Sequence, residues 1–388
     1  MKRLLLVGCG AEIGSMIVGM LDPAKDGMEI AAILTHPAEG DPHHPETTGL
    51  DSLVARVVMA QPHLVDEVSA DRAGERLVVR GQSIPVFWGD VADFDSASLP
   101  GPFDGAILAT SKKHLGDLAL MERLASVAGY VVGVAEGLKL PAVYPCLIGA
   151  PEAFLPVRPE PVNGAKAFAL GSCQTNGWQA QLRALLDLAA DNGFKSLDFK
   201  AMEVDIVHPD TPTGRLGTKS IAARDQDPRN NLRPSFSQVE SSMNRLFPES
   251  ANANTVSLRV LTSPPGYQIS RFFFSYDPGD GARLDHAGIA NGFAKTAARN
   301  PHILRVAERP LGSRGYEFSE AAAVVLTQSA LMRFNDDPFR AGGANLPVSE
   351  LIVQAYVHNT RGYCRSVIEA LRYLLSDPAP KAFPAMAA

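Results

Sequence analysis

The chain has 388 residues, 46% hydrophobic and 20% charged, with a formal net charge of −6. That length exceeds one ordinary hydrophobic core and suits two domains. The acidic balance argues against a nucleic-acid binder that relies on a basic field, and no apolar run is long enough for a membrane-spanning helix.

In chain order, Lys2 to Val7 read as a short apolar strand. The run could open a signal peptide, but it stops at Gly8 and a glycine-rich turn follows, which favours a strand. Gly8-Cys9-Gly10-Ala11-Glu12-Ile13-Gly14 leads into a helical pattern, and residues 28–34 make a second strand, the start of a βαβ unit. Residues 36–50, rich in His, Pro, Gly and Thr, read as loop. Leu77 to Phe87 reads as a hairpin turning at Gly81. A strand at 106–110, a helix near 113–128 and a strand at 130–135 complete an α/β domain. A helix at about 176–191 follows, then strand-like runs at 198–207, 254–262 and 267–276, with a polar loop at 211–234. Strands grouped this way predict an α+β second domain with a mainly antiparallel sheet. The last helix, about 361–375, is amphipathic, and Ser376 to Ala388 reads as a disordered tail.

The N-terminal turn suits a nucleotide. Glycines between a first strand and a helix let the backbone approach a pyrophosphate, and the helix N-terminus supplies N–H donors. Gly8 and Gly10 sit correctly, although Gly14 makes the spacing one residue longer than the usual fingerprint. A lone glycine fingerprint also fits a purely structural turn. Its place in a strand–turn–helix at the N-terminus favours a Rossmann-type dinucleotide site, with Ala11, Glu12 and Ile13 in the turn and Thr110 at the end of the 106–110 strand as further cofactor residues. The second strand ends Leu34-Thr35-His36-Pro37, without an acid to bind a ribose 2′-hydroxyl. Thr35 and His36 would tolerate a 2′-phosphate, so NADP suits the site at least as well as NAD.

The sequence also offers a nucleophile. Ser172-Cys173-Gln174-Thr175-Asn176 puts a cysteine near a helix start, and Val207-His208-Pro209-Asp210-Thr211 puts a histidine at a strand end. A helix N-terminus and a nearby imidazole both lower a thiol pKa. A lone cysteine is usually a small buried hydrophobe, the reading given to Cys9, Cys146 and Cys364. These four cysteines show no paired or metal-type spacing, so no disulfide or metal is expected and a reducing, cytoplasmic setting fits. Cys173 departs from the bland reading because polar Gln174, Thr175 and Asn176 follow it. The Cys173/His208 pair points to attack of sulfur on a carbonyl carbon, with His208 as base.

These runs resemble the glyceraldehyde-3-phosphate dehydrogenase superfamily. Ser-Cys-Gln-Thr-Asn is similar to that family's Ser-Cys-Thr-Thr-Asn, and Val-His-Pro-Asp-Thr to its Val-His-Ala-Tyr-Thr. Leu77 to Phe87, Asn231-Leu232-Arg233-Pro234, Arg259-Val260-Leu261-Thr262 and Asn359-Thr360-Arg361-Gly362-Tyr363-Cys364 resemble further family segments in the same order. The resemblance implies a thiohemiacetal on Cys173 and hydride transfer to nicotinamide, with the Cys173 N–H stabilising the oxyanion. It further implies that Asn359 holds the nicotinamide carboxamide and that Thr211 and Arg259 bind a substrate phosphate. Ser172, Gln174, Thr175 and Gln238 complete the expected substrate side.

The departures point to a divergent member. Gln174 and Ser237-Gln238 stand where the family holds inorganic phosphate with threonine and a Thr-Gly pair, so water, a thiol or an amine are open as acyl acceptors. The expected division is a nucleotide-binding domain over 1–172 and 346–388 and a catalytic and oligomerisation domain over 173–345. The expected function is NAD(P)-dependent oxidation of a small, anionic or phosphorylated aldehyde, or the reverse acyl reduction. The alternatives are a reductase of an acyl phosphate or carrier-bound thioester, resembling semialdehyde dehydrogenases, and a non-catalytic nucleotide-binding relative. The resemblance suggests a homotetramer, with a dimer as the other assembly, and no nucleic-acid or membrane partner.

Overall fold

The structure, a computed structural model, describes residues 1–37, 49–137, 139–155, 165–209, 233–248, 252–260, 262–336 and 348–376. It is a mixed α/β arrangement built on two eight-stranded sheets. The first is formed by β1 (Lys2–Val7), β2 (Met28–Thr35), β3 (Val68–Asp71), β4 (Arg76–Val79), β5 (Gln82–Trp88), β6 (Phe103–Leu108), β7 (Ala128–Gly133) and β8 (Ala167–Ala169). Their order is β3-β4-β5-β2-β1-β6-β7-β8. From β5 to β8 every pairing is parallel, while β3 and β4 add an antiparallel edge.

Parallel strands covered on both faces need apolar side chains on both, and Leu4, Leu5, Leu6 and Val7 are all fully buried. The short α2 (Pro23–Asp26) follows α1 (Glu12–Met20), and one face of the sheet packs against α1, α3 (Gly49–Ala60) and, from the far end of the chain, α9 (Arg361–Leu374). The other packs against α5 (Leu118–Val127). The hairpin read at Gly81 joins β4 to β5, with Arg80 and Gly81 at φ 49° and 78°. Two successive positive φ values give a turn whose twist matches the flanking strands. The single helix expected near 113–128 is two: α4 (Lys112–Leu115) ends at Gly116, and Asp117 caps α5 by accepting from Leu120 N at 3.1 Å.

The second sheet contains β9 (Ser196–Pro209), β10 (Arg233–Ser235), β11 (Asn252–Val260), β12 (Gly266–Asp277), β13 (Leu304–Ala307), β14 (Ala323–Leu326), β15 (Arg333–Asn335) and β16 (Ser349–Val357). The order is β10-β11-β9-β12-β16-β14-β13, with β15 also on β16. Its pairings are antiparallel except β11 with β9 and β13 with β14. Beneath it lie α6 (Cys173–Asp191) and α8 (His286–Arg299). α6 is buried on every side from Gln174 to Ala189, so it is the central helix of this half rather than a surface one. α7 (Val239–Leu246) packs beside it.

The boundary expected at 346 lies on the wrong side of a strand. β16 shows strict alternation of buried and half-buried residues and pairs with β12 and β14, so it belongs to the second sheet. Among the described residues that follow, α9 returns to the first sheet. Thr211, Asn231, Leu232, most of the 211–234 loop and the tail from 377 lie outside the described residues.

Candidate active site

The expected thiol sits where the two sheets meet. β8 ends at Ala169, Gly171 turns the chain at φ +73°, Ser172 caps α6 by accepting from Thr175 N at 3.1 Å, and Cys173 is the first helical residue. Two further ties hold this entry. Asn176 Nδ2 donates to Leu170 O and Ser172 O at 3.1 and 3.0 Å, and Tyr363 of α9 donates its hydroxyl to Gly171 O at 2.6 Å.

Two residues far from Cys173 in sequence converge on its sulfur. Cys173 Sγ lies 3.8 Å from His208 Nε2. Asn359 Nδ2 lies 3.5 Å from the sulfur and 2.9 Å from His208 Nε2. The Asn359 amide is oriented by Gly266 N, which donates to Oδ1 at 2.9 Å, leaving Nδ2 to face the pair. His208 Nδ1 is 2.7 Å from Pro209 O, so the neutral tautomer carries its hydrogen on Nδ1 and leaves Nε2 as an acceptor that faces both Asn359 Nδ2 and the thiol. Arg259 Nη1 lies 3.2 Å from Nδ1 and 3.3 Å from Pro209 O. A guanidinium only donates, so Arg259 and Nδ1–H share the Pro209 carbonyl, and a fixed positive charge stands behind the ring.

The thiol is not the depressed one that a helix start and an imidazole suggest. Burial pushes the Cys173 pKa above its usual value; the Asn359 hydrogen bond and the Gln174 backbone N–H pull it down, the Glu12 carboxylate pushes it up, and Arg259 pulls it down. Desolvation of the thiolate outweighs its donors.

On the substrate side, two residues are turned away from the cleft. Gln174 is 3% exposed, with Gln268 Nε2 donating to its backbone O at 3.1 Å and its Oε1 at 3.2 Å. Its place beside the cysteine suggested a pocket residue, but helical rotation points it under α6 toward β12. Thr175 is fully buried and bonds the hydroxyls of Ser172 and Ser242 at 2.9 and 3.1 Å. Ser172 is occupied as the cap. Gln238 is half-buried, and its Oε1 accepts from Glu136 N at 3.4 Å. Asn359, expected on the nicotinamide, has both ends of its amide engaged by Gly266 and by the Cys173/His208 pair. Glu136, Ser242 and Gly266 were not visible as site residues, because contacts more than ninety residues apart leave no local pattern.

The glycine turn lies at the carboxyl edge of the first sheet. Gly8 adopts φ +93°, and a Cβ there would meet Thr110 Cγ2 at 2.5 Å and Ala109 O at 2.7 Å. A Cβ on Gly14 would lie 2.0 Å from Gly8 O, so α1 packs directly on the turn. Gly10 has open space, its nearest neighbour being Thr35 Oγ1 at 3.9 Å. Ala11 supplies no side-chain cap to α1, and Ala11 and Glu12 are exposed while Ile13 is half-buried. This uncapped, glycine-lined helix start fits a diphosphate; the Glu12 carboxylate in the first turn is the one feature that opposes it. Thr110 Oγ1 bonds His114 Nδ1 at 2.8 Å, and Thr35 is buried at the end of β2.

Among the described residues no cluster of three His, Cys, Asp or Glu side chains is arranged to hold a metal ion, and no helix is long and apolar enough to cross a membrane. No protein-family model matches the chain, and no curated sequence is similar enough to count as a relative. The functional reading therefore rests on the geometry.

Proposed function

We propose that the chain is a cysteine-dependent NAD(P) aldehyde dehydrogenase or acyl reductase, divergent from but resembling the glyceraldehyde-3-phosphate dehydrogenase superfamily. The observation that carries this reading is the Cys173–His208–Asn359 cluster at the start of α6, beside the carboxyl edge of the first sheet. Within that sheet the parallel strands run β5-β2-β1-β6-β7-β8, which is the order of a Rossmann-type dinucleotide domain, and the Gly8 turn follows β1.

The residues suit one reaction. A carbonyl carbon reaching the sulfur lets Cys173 transfer its proton to His208 Nε2 as the C–S bond forms, giving a thiohemiacetal. Asn359 Nδ2 and the α6 backbone N–H groups face the developing oxyanion. A nicotinamide dinucleotide held by Gly8, Gly10 and the α1 N-terminus would supply the hydride acceptor that turns this adduct into a thioester, or the donor for the reverse. Water, a thiol or an amine then takes the acyl carbon and gives up a proton to solvent as the C–S bond breaks, and His208, now protonated, returns its proton to the departing Cys173 sulfur. Because burial keeps the free thiol protonated, proton transfer accompanies attack instead of preceding it.

The same reading carries a small anionic substrate met by Arg259, NADP at least as readily as NAD, and a homo-oligomeric assembly. Its test is turnover across a panel of aldehydes with NAD and NADP. Cys173→Ala is expected to lower the rate by at least about a thousandfold, and intact mass should show an acyl group on Cys173 in the wild type. Full turnover by Cys173→Ala would overturn the covalent mechanism.

A further inference from the structure

Behind the candidate thiol lies a buried carboxylate that the reaction does not use. Glu136 follows β7 and is 6% exposed. Arg245 Nη1 is 3.0 Å from its Oε1, and the Tyr144 hydroxyl is 3.3 and 3.2 Å from its two oxygens. Ser242 donates to Oε2 at 2.5 Å. One ion pair and two hydroxyl donors thus surround this buried group.

We propose that Glu136 is the positioning residue of the Cys173 thiol: its carboxylate orients a chain of three hydroxyls, Ser242, Thr175 and Ser172, that caps the helix on which the thiol stands. The proposal rests on the reading of Cys173 as the nucleophile.

The carboxylate fixes the direction of every hydrogen bond along this chain. A carboxylate only accepts, so Ser242 donates to Glu136 and its oxygen is left to accept from Thr175 at 3.1 Å. Thr175 in turn accepts from Ser172 at 2.9 Å, and the Ser172 oxygen accepts from Thr175 N at 3.1 Å. Each hydroxyl alone could point either way; the fixed charge at one end gives the chain a single sense. At the other end is the first turn of α6, which Ser172 caps and whose first residue is Cys173. Glu136 also ties in α7, since Arg245 donates to Gly137 O at 3.1 Å and Glu136 N donates to Gln238 Oε1. One carboxylate thus registers the first sheet, α7 and the thiol-bearing turn.

The test is carbamidomethylation of Cys173 by iodoacetamide as a function of pH, on the full chain, read by mass spectrometry. Glu136→Gln removes the charge while keeping the shape, and Thr175→Val removes one link. Each is expected to slow labelling at pH 7 by about fivefold, the effect of losing a helix cap, with the profile displaced to higher pH. Thr175→Ser, which restores the hydroxyl, should return labelling to the wild-type rate. The double variant Glu136→Gln/Thr175→Val should be no slower than either single, because both break the same chain. Variant profiles that superimpose on the wild type, or a double variant whose loss is the product of the singles, would overturn the proposal alone. If Glu136→Gln does not fold, the Thr175→Val and Thr175→Ser pair decides by the same criteria. A wild-type Cys173 that stays unlabelled at every pH would overturn the nucleophile reading and this proposal with it.

Discussion

The sulfur of Cys173 is governed by two opposing influences: desolvation, which raises its pKa, and hydrogen bonds from Asn359 and the Gln174 N–H, which lower it. The balance can be moved in either direction. Asn359→Ala deletes the side-chain donor and is expected to shift the pH midpoint of iodoacetamide labelling upward. Glu12→Gln removes a carboxylate that disfavours the thiolate and should shift it downward. Equal midpoints for the two variants would mean that neither side chain acts on the sulfur. The sequence pointed to Cys173 and His208, which the fold brings to 3.8 Å, because a polar run after an apolar strand is a local signal. It did not reveal the thiol's protonation, since burial and Asn359, 186 residues away, are properties of the folded chain. Gln174 is a different case. Positions 174 and 181 lie on one face of α6, and both side chains meet Gln268 of β12, so helical periodicity already pointed Gln174 inward and its polarity alone suggested otherwise.

Among the elements, the β1–α1 turn separates folding from binding. Gly8→Ala would force a Cβ onto a residue at φ +93° against Thr110 and Ala109, and Gly14→Ala would drive α1 off the Gly8 carbonyl. Each should cost at least about 2 kcal/mol in urea unfolding. Gly10→Ala meets nothing closer than 3.9 Å and should leave stability unchanged. If the turn cradles a diphosphate, the same Gly10→Ala chain should lose the rise in melting temperature that NADPH gives the wild type, because the methyl occupies the space of the ligand. A Gly10→Ala chain that unfolds normally and still responds fully to NADPH would remove this turn as the cofactor site. This contrast was only half legible beforehand. The glycine spacing marked the turn, but which glycine serves the backbone and which leaves room follows from what lies 2 to 4 Å away.

For the whole molecule, the junction between β16 and α9 is where the second sheet hands the chain back to the first. The sequence showed the amphipathic α9 and the two-sheet division, but not that β16 belongs to the second sheet, since strand pairing is set by partners and not by adjacency along the chain. At this junction His358, 4% exposed, places Nε2 at 2.6 Å from Glu317 O and Nδ1 at 3.4 Å from Thr360 Oγ1, directly before Asn359. Burial lowers its pKa from about 6.5 to about 4, the Glu317 carbonyl raises it, and Arg361 lowers it. The folded state holds the neutral ring, whereas the unfolded chain takes up a proton below about 6.5. His358 therefore stabilises the fold above that pH, and the contribution is lost as pH falls from about 6.5 through about 4. A difference of this size is worth about 3 kcal/mol. Urea unfolding across that range should show the loss, and His358→Gln, which keeps a donor for Glu317 O but does not titrate, should flatten it. His302, also lowered chiefly by burial, contributes to the same acid limb, so the difference between wild type and His358→Gln is the measure. Coincident acid limbs for wild type and His358→Gln would place the acid sensitivity of the junction elsewhere.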